Sequence, residues 1–272
     1  MAADTHSLIA VDIGNSQIKF GWYLSAVADT FIEPIRTVDL AGQPFDPNRL
    51  ATWLVPPSAE TVRTSYPTEW LVASVNRPAM EGLFAWAHDF DARIRIRELV
   101  ADDLTLEVAV PAVHRIGIDR LAAAVAVNRL RDAARPAIVI DLGTAITVDV
   151  VSSHGAFAGG AILPGIGMSA RALAEQTDQL PELPLDRLED PPAPVGTSTE
   201  AAIRSGLFWG AIGAMRELIT RMEAELPTKP QLYVTGGAAP AVVELLGSEA
   251  RYVPHLVLGG IAVAHAAWAA GR

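Results

Sequence analysis

Two strings in this chain share one pattern. Asp12-Ile-Gly-Asn and Asp141-Leu-Gly-Thr each end a short apolar run, at 8–12 and 137–141, and each is followed by a second run, at 18–24 and 146–151. Runs of that length, broken by a glycine beside a small polar residue that tolerates positive φ, read as strand, tight turn, strand. One such turn is common. Two of them, about half a chain apart, predict a duplicated unit and a two-lobed α/β protein.

The pattern also suggests chemistry. A carboxylate at a strand end can hold a cation while backbone N–H groups of the turn face phosphate oxygens. Glycine lets the backbone approach because it carries no Cβ. Asn15, Ser16 and Lys19 in the first copy, and Thr144 and Thr147 in the second, add donors. Either turn alone reads equally well as a β-turn whose aspartate binds its own backbone. Both together, with Gly236-Gly237 after a third apolar run at 231–235, point to nucleotide binding.

The rest of the chain fits an α/β pattern. Residues 35–40 and 70–75 read as strands, and 78–90 as a helix. Pro44, Pro47, Pro56 and Pro57 bracket a short helix near 49–54. Gly117-Ile-Asp-Arg opens an alanine-rich segment that predicts a helix to about Ala134, limited by Pro136. A further helix is expected from about Met168. Five prolines between 181 and 194 mark a loop. Thr197 and Glu200 fit a capping box for a long helix to about Leu226, and another helix is expected after Gly237.

Composition removes several classes of function. Half of the 272 residues are hydrophobic and mean hydropathy is +0.27, enough for a sizeable core. There is no cysteine, which excludes disulfide scaffolds, cysteine zinc sites, iron–sulfur clusters and thiol catalysis. The net charge of −10 repels phosphate backbones and argues against nucleic-acid binding. The six histidines show no ligand spacing. Residues 1–7 do not read as a signal peptide. The uncharged stretch 252–271 holds Pro254, His255 and His265 and reads as a buried helix rather than a membrane span, so the expected location is the cytoplasm.

Five motifs stand in order: Asp12-Ile-Gly-Asn-Ser, Gly117-Ile-Asp-Arg, Asp141-Leu-Gly-Thr-Ala-Ile-Thr-Val-Asp, Gly159-Gly-x-Ile-x-Pro-Gly and Gly196-Thr-Ser-Thr-Glu-Ala-Ala-Ile-Arg-Ser-Gly. Together they resemble the type III pantothenate kinases, over nearly the whole chain. That family belongs to the superfamily of acetate and sugar kinases, heat-shock ATPases and actin. The resemblance implies two ribonuclease-H-like lobes, a duplicated actin-like ATPase fold, with a nucleotide cleft between them. The lobes are expected at 1–116 and 117–272, the boundary falling within 112–136. It implies transfer of the ATP γ-phosphate, with Mg2+, to the primary hydroxyl of pantothenate, the first step of coenzyme A synthesis.

The resemblance also implies roles. Asp12, Ile13, Gly14, Asn15, Ser16, Gln17, Ile18 and Lys19 match the family's first phosphate loop, and Thr144 its second nucleotide contact. Asp141 matches the aspartate that holds a monovalent cation, K+ or NH4+. Gly117, Ile118, Asp119 and Arg120 match the pantothenate segment, with Asp119 as catalytic base. Thr199 matches a substrate contact made across a homodimer interface. The chemistry agrees with those roles: Asp119 can orient the hydroxyl and accept its proton late in transfer, and Arg120 suits the pantothenate carboxylate. Asp119 also reads as a simple helix-start carboxylate. Two departures stand out. Ser16 replaces the family's usual threonine, and Val110 stands where the family commonly has a substrate-contacting tyrosine. Val110 keeps open a kinase of another small hydroxylated substrate; the resemblance also leaves a non-catalytic accessory relative as an alternative.

Overall fold

The computed structural model describes residues 7–24, 33–41, 45–55, 69–184 and 190–270. Pro44, Pro56, Pro57 and part of the proline-rich loop lie outside them. The first half of the chain forms β1 (Ser7–Ile13), β2 (Gln17–Leu24), β3 (Arg36–Ala41), α1 (Pro47–Leu54), β4 (Glu69–Ser74), α2 (Arg77–Phe90), β5 (Arg95–Glu98) and α3 (Ile118–Leu130). The second forms β6 (Ala137–Leu142), β7 (Ala145–Val151), β8 (Phe157–Pro164), α4 (Ile166–Glu175), α5 (Thr199–Glu225), β9 (Gln231–Thr235), β10 (Arg251–Tyr252) and α6 (Leu256–Ala270).

These elements make two sheets of one topology. The first runs β3-β2-β1-β4-β5 and the second, read in the same sense, β8-β7-β6-β9-β10. In each, three antiparallel strands are followed by two parallel ones. The duplication expected from the two Asp-Gly turns is therefore present in strand order as well.

The chain divides into two compact units. One comprises residues 1–106, 111–130 and 255–272; the other comprises 107–110 and 131–254. This interleaved division differs from a single boundary at 116/117. The reason lies in α3 and α6, the helices that follow β5 and β10. Both pack on each other and on the first sheet. Leu121–Val127 of α3 and Leu256–Ala266 of α6 are buried without interruption. A helix apolar on every side must be enclosed on every side, and each of these two helices encloses the other.

In the first unit, Ile9, Val11, Phe20, Trp22 and Val72 form one face of the sheet, packed against Leu50 and Trp53 of α1 and Leu83 of α2. Local signals set these helices. Asp46 caps α1 by accepting from the Asn48 and Arg49 N–H groups, and Asn76 caps α2 by accepting from Ala79. In the second unit, Ile138, Ile140, Ile146 and Val148 pack against Phe208, Ile212 and Met215 of α5. Residues 107–109 extend this sheet beyond β8: the Phe157 N–H donates to the Glu107 carbonyl at 2.8 Å, and Ala109 donates to Phe157 at 2.9 Å.

Several local expectations change. The helix α3 stops at Leu130, four residues early, where the Arg131 guanidinium binds the carbonyls of Asp132, Ala133 and Arg135 and folds the chain into a turn. Ser198, not Thr197, caps α5, its hydroxyl accepting from Ala201 at 3.2 Å. After β9 the chain makes two short 3-10 turns, at Ala239–Ala241 and Val243–Leu246, instead of a helix. Pro240 stands at the start of the first, and Gly247 closes the second at φ +133°. No helix among the described residues is long and apolar enough to cross a membrane.

Candidate active site

The first Asp-Gly turn is tight because the Gly14 N–H donates back to the Gln17 carbonyl at 2.9 Å. Asn15 and Ser16 stand exposed at its tip, while Ile13 and Ile18 are buried beneath it. Register puts Asp12 opposite Lys19, and Lys19 in turn opposite Asp39. Directly opposed residues share a face with their Cβ atoms about 5 Å apart. One ammonium is thus flanked by carboxylates on both neighbouring strands, half-buried beside a turn whose backbone faces solvent.

Asp119 belongs to the same unit and the same end of its sheet. The Val75 N–H donates to the Ile13 carbonyl at 3.0 Å, fixing the chain after β4 against the end of β1. The Val75 side chain then lies 3.5 Å from where a Cβ on Gly117 would stand. Gly117 precedes α3, and Asp119 sits in the helix's first turn. The carboxylate folds back over Gly117: its Oδ1 would overlap any Cβ there, and it accepts from the Arg120 N–H at 2.8 Å. A Cβ at 117 would therefore push the Asp119 carboxylate out of this position. Burial pushes the Asp119 carboxyl above its ordinary range, against the opposing pull of the Arg120 N–H and the Arg120 guanidinium. A carboxyl so placed is more basic than one in water.

The second turn is one residue shorter. The Gly143 N–H donates to Ala145 at 3.1 Å, and Gly165, which caps α4, donates to the Thr144 carbonyl at 3.1 Å. Asp141 pairs with Thr147 on one side and with buried Thr235 on the other. Gly236 follows Thr235 at φ +98°, and a Cβ there would lie 2.5 Å from both the Asp141 Oδ1 and the Leu142 carbonyl oxygen. A carboxylate oxygen and a carbonyl oxygen thus converge on a space that only glycine leaves open. The Gly-Gly pair was visible in the sequence; its partnership with Asp141 was not, because parallel pairing of β6 with β9 joins residues far apart in the chain.

The remaining candidates are more dispersed. Thr199 is the exposed first residue of α5. Val110 ends the segment added to the edge of the second sheet, and its side chain lies 3.3 Å from where a Cβ on Gly159 would stand. Asp149, on β7, is 3% exposed. Among the described residues no group of three or more His, Asp or Glu side chains is arranged to hold a metal.

Two sheets of one topology, each ending a strand in an Asp-Gly turn, define the duplicated ribonuclease-H-like fold of actin-like ATPases and sugar kinases. Solved structures agree with that class. The ethanolamine utilization protein EutJ from Carboxydothermus hydrogenoformans superposes with a TM-score of 0.52 at 14% identity, covering 95% of this chain and 89% of its own. The activator of 2-hydroxyisocaproyl-CoA dehydratase from Clostridium difficile, with bound ADPNP, gives 0.50 at 12% identity, covering 97% and 96%. Sequence comparison is more specific. Residues 8–221 match the type III pantothenate kinase family model. The type III pantothenate kinase of Rhodopirellula baltica is 43% identical over 191 residues, 68% of either chain. That of Dehalococcoides mccartyi is 32% identical over 278 residues, 95% of this chain and 97% of its own. The chain belongs to the type III pantothenate kinase family. It is an enzyme that phosphorylates pantothenate for coenzyme A synthesis, using ATP with a divalent metal.

Proposed function

We propose that Asp119 is the general base of this phosphoryl transfer. The observation that carries the reading is its setting: a carboxyl with raised basicity, at a helix N-terminus, at the same sheet end as the Asp12 turn. The primary hydroxyl of pantothenate attacks the γ-phosphorus of ATP. The bond from that phosphorus to the β–γ bridging oxygen breaks, ADP leaves, and the hydroxyl proton passes to the Asp119 carboxylate. An alcohol is a far weaker acid than a carboxylic acid, so the proton moves late, and a raised carboxyl pKa narrows the mismatch.

The other roles follow the same logic. The turn from Asp12 to Lys19, with Ile13, Gly14, Asn15, Ser16, Gln17 and Ile18 between them, receives the phosphates. Its N–H groups and the Lys19 ammonium meet phosphate oxygens, and Thr144 adds a contact from the second turn. Mg2+ typically arrives with the nucleotide and needs only one or two protein carboxylates, which a pair of separate aspartates can provide. Gly117, Ile118 and Arg120 contact pantothenate, Arg120 through the acceptor's carboxylate. Asp141 holds a monovalent cation, K+ or NH4+. The support is the oxygen pair converging on Gly236, a donor set that suits a hard cation. Such an ion supplies positive charge beside the phosphates.

We further place the enzyme in the cytoplasm, where its nucleotide substrate is, and as a homodimer in which Thr199 reaches the partner's substrate. Support for the dimer comes from α5. Gly206, Gly210 and Gly213 lie along one exposed stripe, and a Cβ on any of them would meet nothing described within 4 Å. Close approach of a second helix is one use for such a surface.

The test is ADP release by the full chain with ATP, Mg2+ and K+, with and without pantothenate. Pantothenate-dependent ADP with a phosphorylated product is expected. Asp119→Asn abolishes it if the base assignment is right. Replacing K+ by Na+ lowers turnover if the cation assignment is right. Gly210→Leu shifts the mass measured by light scattering toward a monomer if α5 makes the dimer.

A further inference from the structure

The second sheet carries one more side chain on its site face. Cross-strand register puts Thr235, Asp141, Thr147 and Ile162 in one row across β9, β6, β7 and β8. Alternation places all four on the face opposite the core formed with α5, since Val234, Ile140, Ile146 and Leu163 occupy that core. Exposure climbs along the row. Thr235 is 3% exposed, Asp141 and Thr147 are half-buried, and Ile162 is 64% exposed. A large aliphatic side chain thus stands in the open, mid-strand, at the end of a row of oxygen-bearing groups. Packing within the sheet gives it no role, because its same-face neighbours on β8, Gly160 and Pro164, are also exposed. Strands lie about 4.8 Å apart, so Ile162 is two strands, or roughly 10 Å, from Asp141.

Pantothenate has apolar bulk next to its reacting hydroxyl. The hydroxymethyl carbon is bonded to a quaternary carbon with two methyl groups. An enzyme that brings this hydroxyl to a phosphorus must also accommodate those methyls within a few ångströms of the transferred group. We propose that Ile162 is the specificity contact for them, packing against the geminal methyl groups of the acceptor while the oxygen-bearing part of the row serves phosphate and cation. The assignment rests on the pantothenate reading given above.

Kinetics of the full chain test it, with pantothenate and with an analogue in which both methyls are replaced by hydrogen. The wild-type chain favours pantothenate by roughly tenfold in kcat/KM, as two buried methyl groups require. Ile162→Ser raises the pantothenate KM by a similar factor, holds the ATP KM within about twofold and erases the preference between acceptors. Ile162→Val stays near the wild type. Ile162→Thr, which keeps the β-branched shape suited to a strand, repeats the test should the serine variant melt early. An unchanged acceptor preference in both polar variants overturns the proposal. A rise in the ATP KM alone overturns it in favour of the nucleotide, and a change of oligomeric mass alone in favour of a subunit interface. A wild-type chain that releases no pantothenate-dependent ADP removes the parent reading and this one together, and that failure shows before any variant is made.

Discussion

The two Asp-Gly hairpins are built alike and equipped differently. In the first, Asp12 stands across from Lys19, and no glycine follows the neighbouring parallel strand β4, which leads through Ser74 and Asn76 into the cap of α2. In the second, Asp141 stands between two threonines, and Gly236 opens a space edged by oxygen atoms. One copy is a turn beside a cation of its own; the other is a turn beside the oxygen pair proposed above to hold a borrowed one. Duplication gave both lobes the same backbone, and in the roles proposed above a few side chains in register divide phosphate contact from cation binding.

The comparison can be broken in order of effect. Asp119 has no counterpart on the second sheet, so Asp119→Asn should cost most, about 10²–10⁴-fold in kcat, measured by ADP release. Its pH dependence carries a sign. The folded-state pKa is raised, so the ionised form is disfavoured by folding. The carboxyl's favourable contribution is complete below its unfolded pKa and is lost as pH rises through the folded value. Asp119→Asn should therefore melt higher than the wild type at neutral pH, with the gap closing in acid. The acid limb of wild-type kcat/KM should lie above the ordinary aspartate range.

Next, Gly236→Ala should lower stability by roughly 2–3 kcal/mol, since it meets both a positive φ and two oxygens well inside contact distance. The same variant should blunt activation by K+, and titration of activity against K+ reads that out. The equivalent first-sheet change, Ser74→Ala, should do neither. Lys19→Met should raise the ATP KM by about 10–100-fold, whereas Thr147→Val, its counterpart, should stay below about tenfold, because a charged donor outweighs a neutral one. Equal effects would mean that the hairpins do not divide the work. The smallest effect should come from Ser198→Ala, about 1 kcal/mol from the lost cap with turnover unchanged, while Thr197→Ala leaves the melting temperature alone.

Much of this was legible from local pattern. The two hairpins, α2, the start of α3, and the enclosure of α6 all follow from apolar runs, glycine turns and alanine content. What escaped was set by distant partners. The strand β8 is rich in glycine, and no strand is expected there from sequence; pairing with β7 makes it one, and Gly160 lies against the buried carboxylate of Asp149. The strand β5, Arg-Ile-Arg-Glu, has no apolar run because it is an edge strand. At the site, the roles of Asp12 and Asp141 could be suspected from sequence, whereas the stacking of Asp119 on Gly117 and of Asp141 on Gly236 required coordinates.

The return of the last helix to the first sheet bears on how the molecule is made. Nearly everything the second sheet needs is contiguous, in residues 131–254. The first sheet needs α6: Leu258 lies against Gly21, and Gly260 meets the backbone of Ala122 on α3. On a translating ribosome the strands of the first lobe emerge first and wait while about 125 more residues are added, on the order of ten seconds. The later lobe can close before the earlier one. The lobe that carries Asp119 is thus begun first and finished last, and in that interval its apolar strand face is the part of the nascent chain most in need of a chaperone.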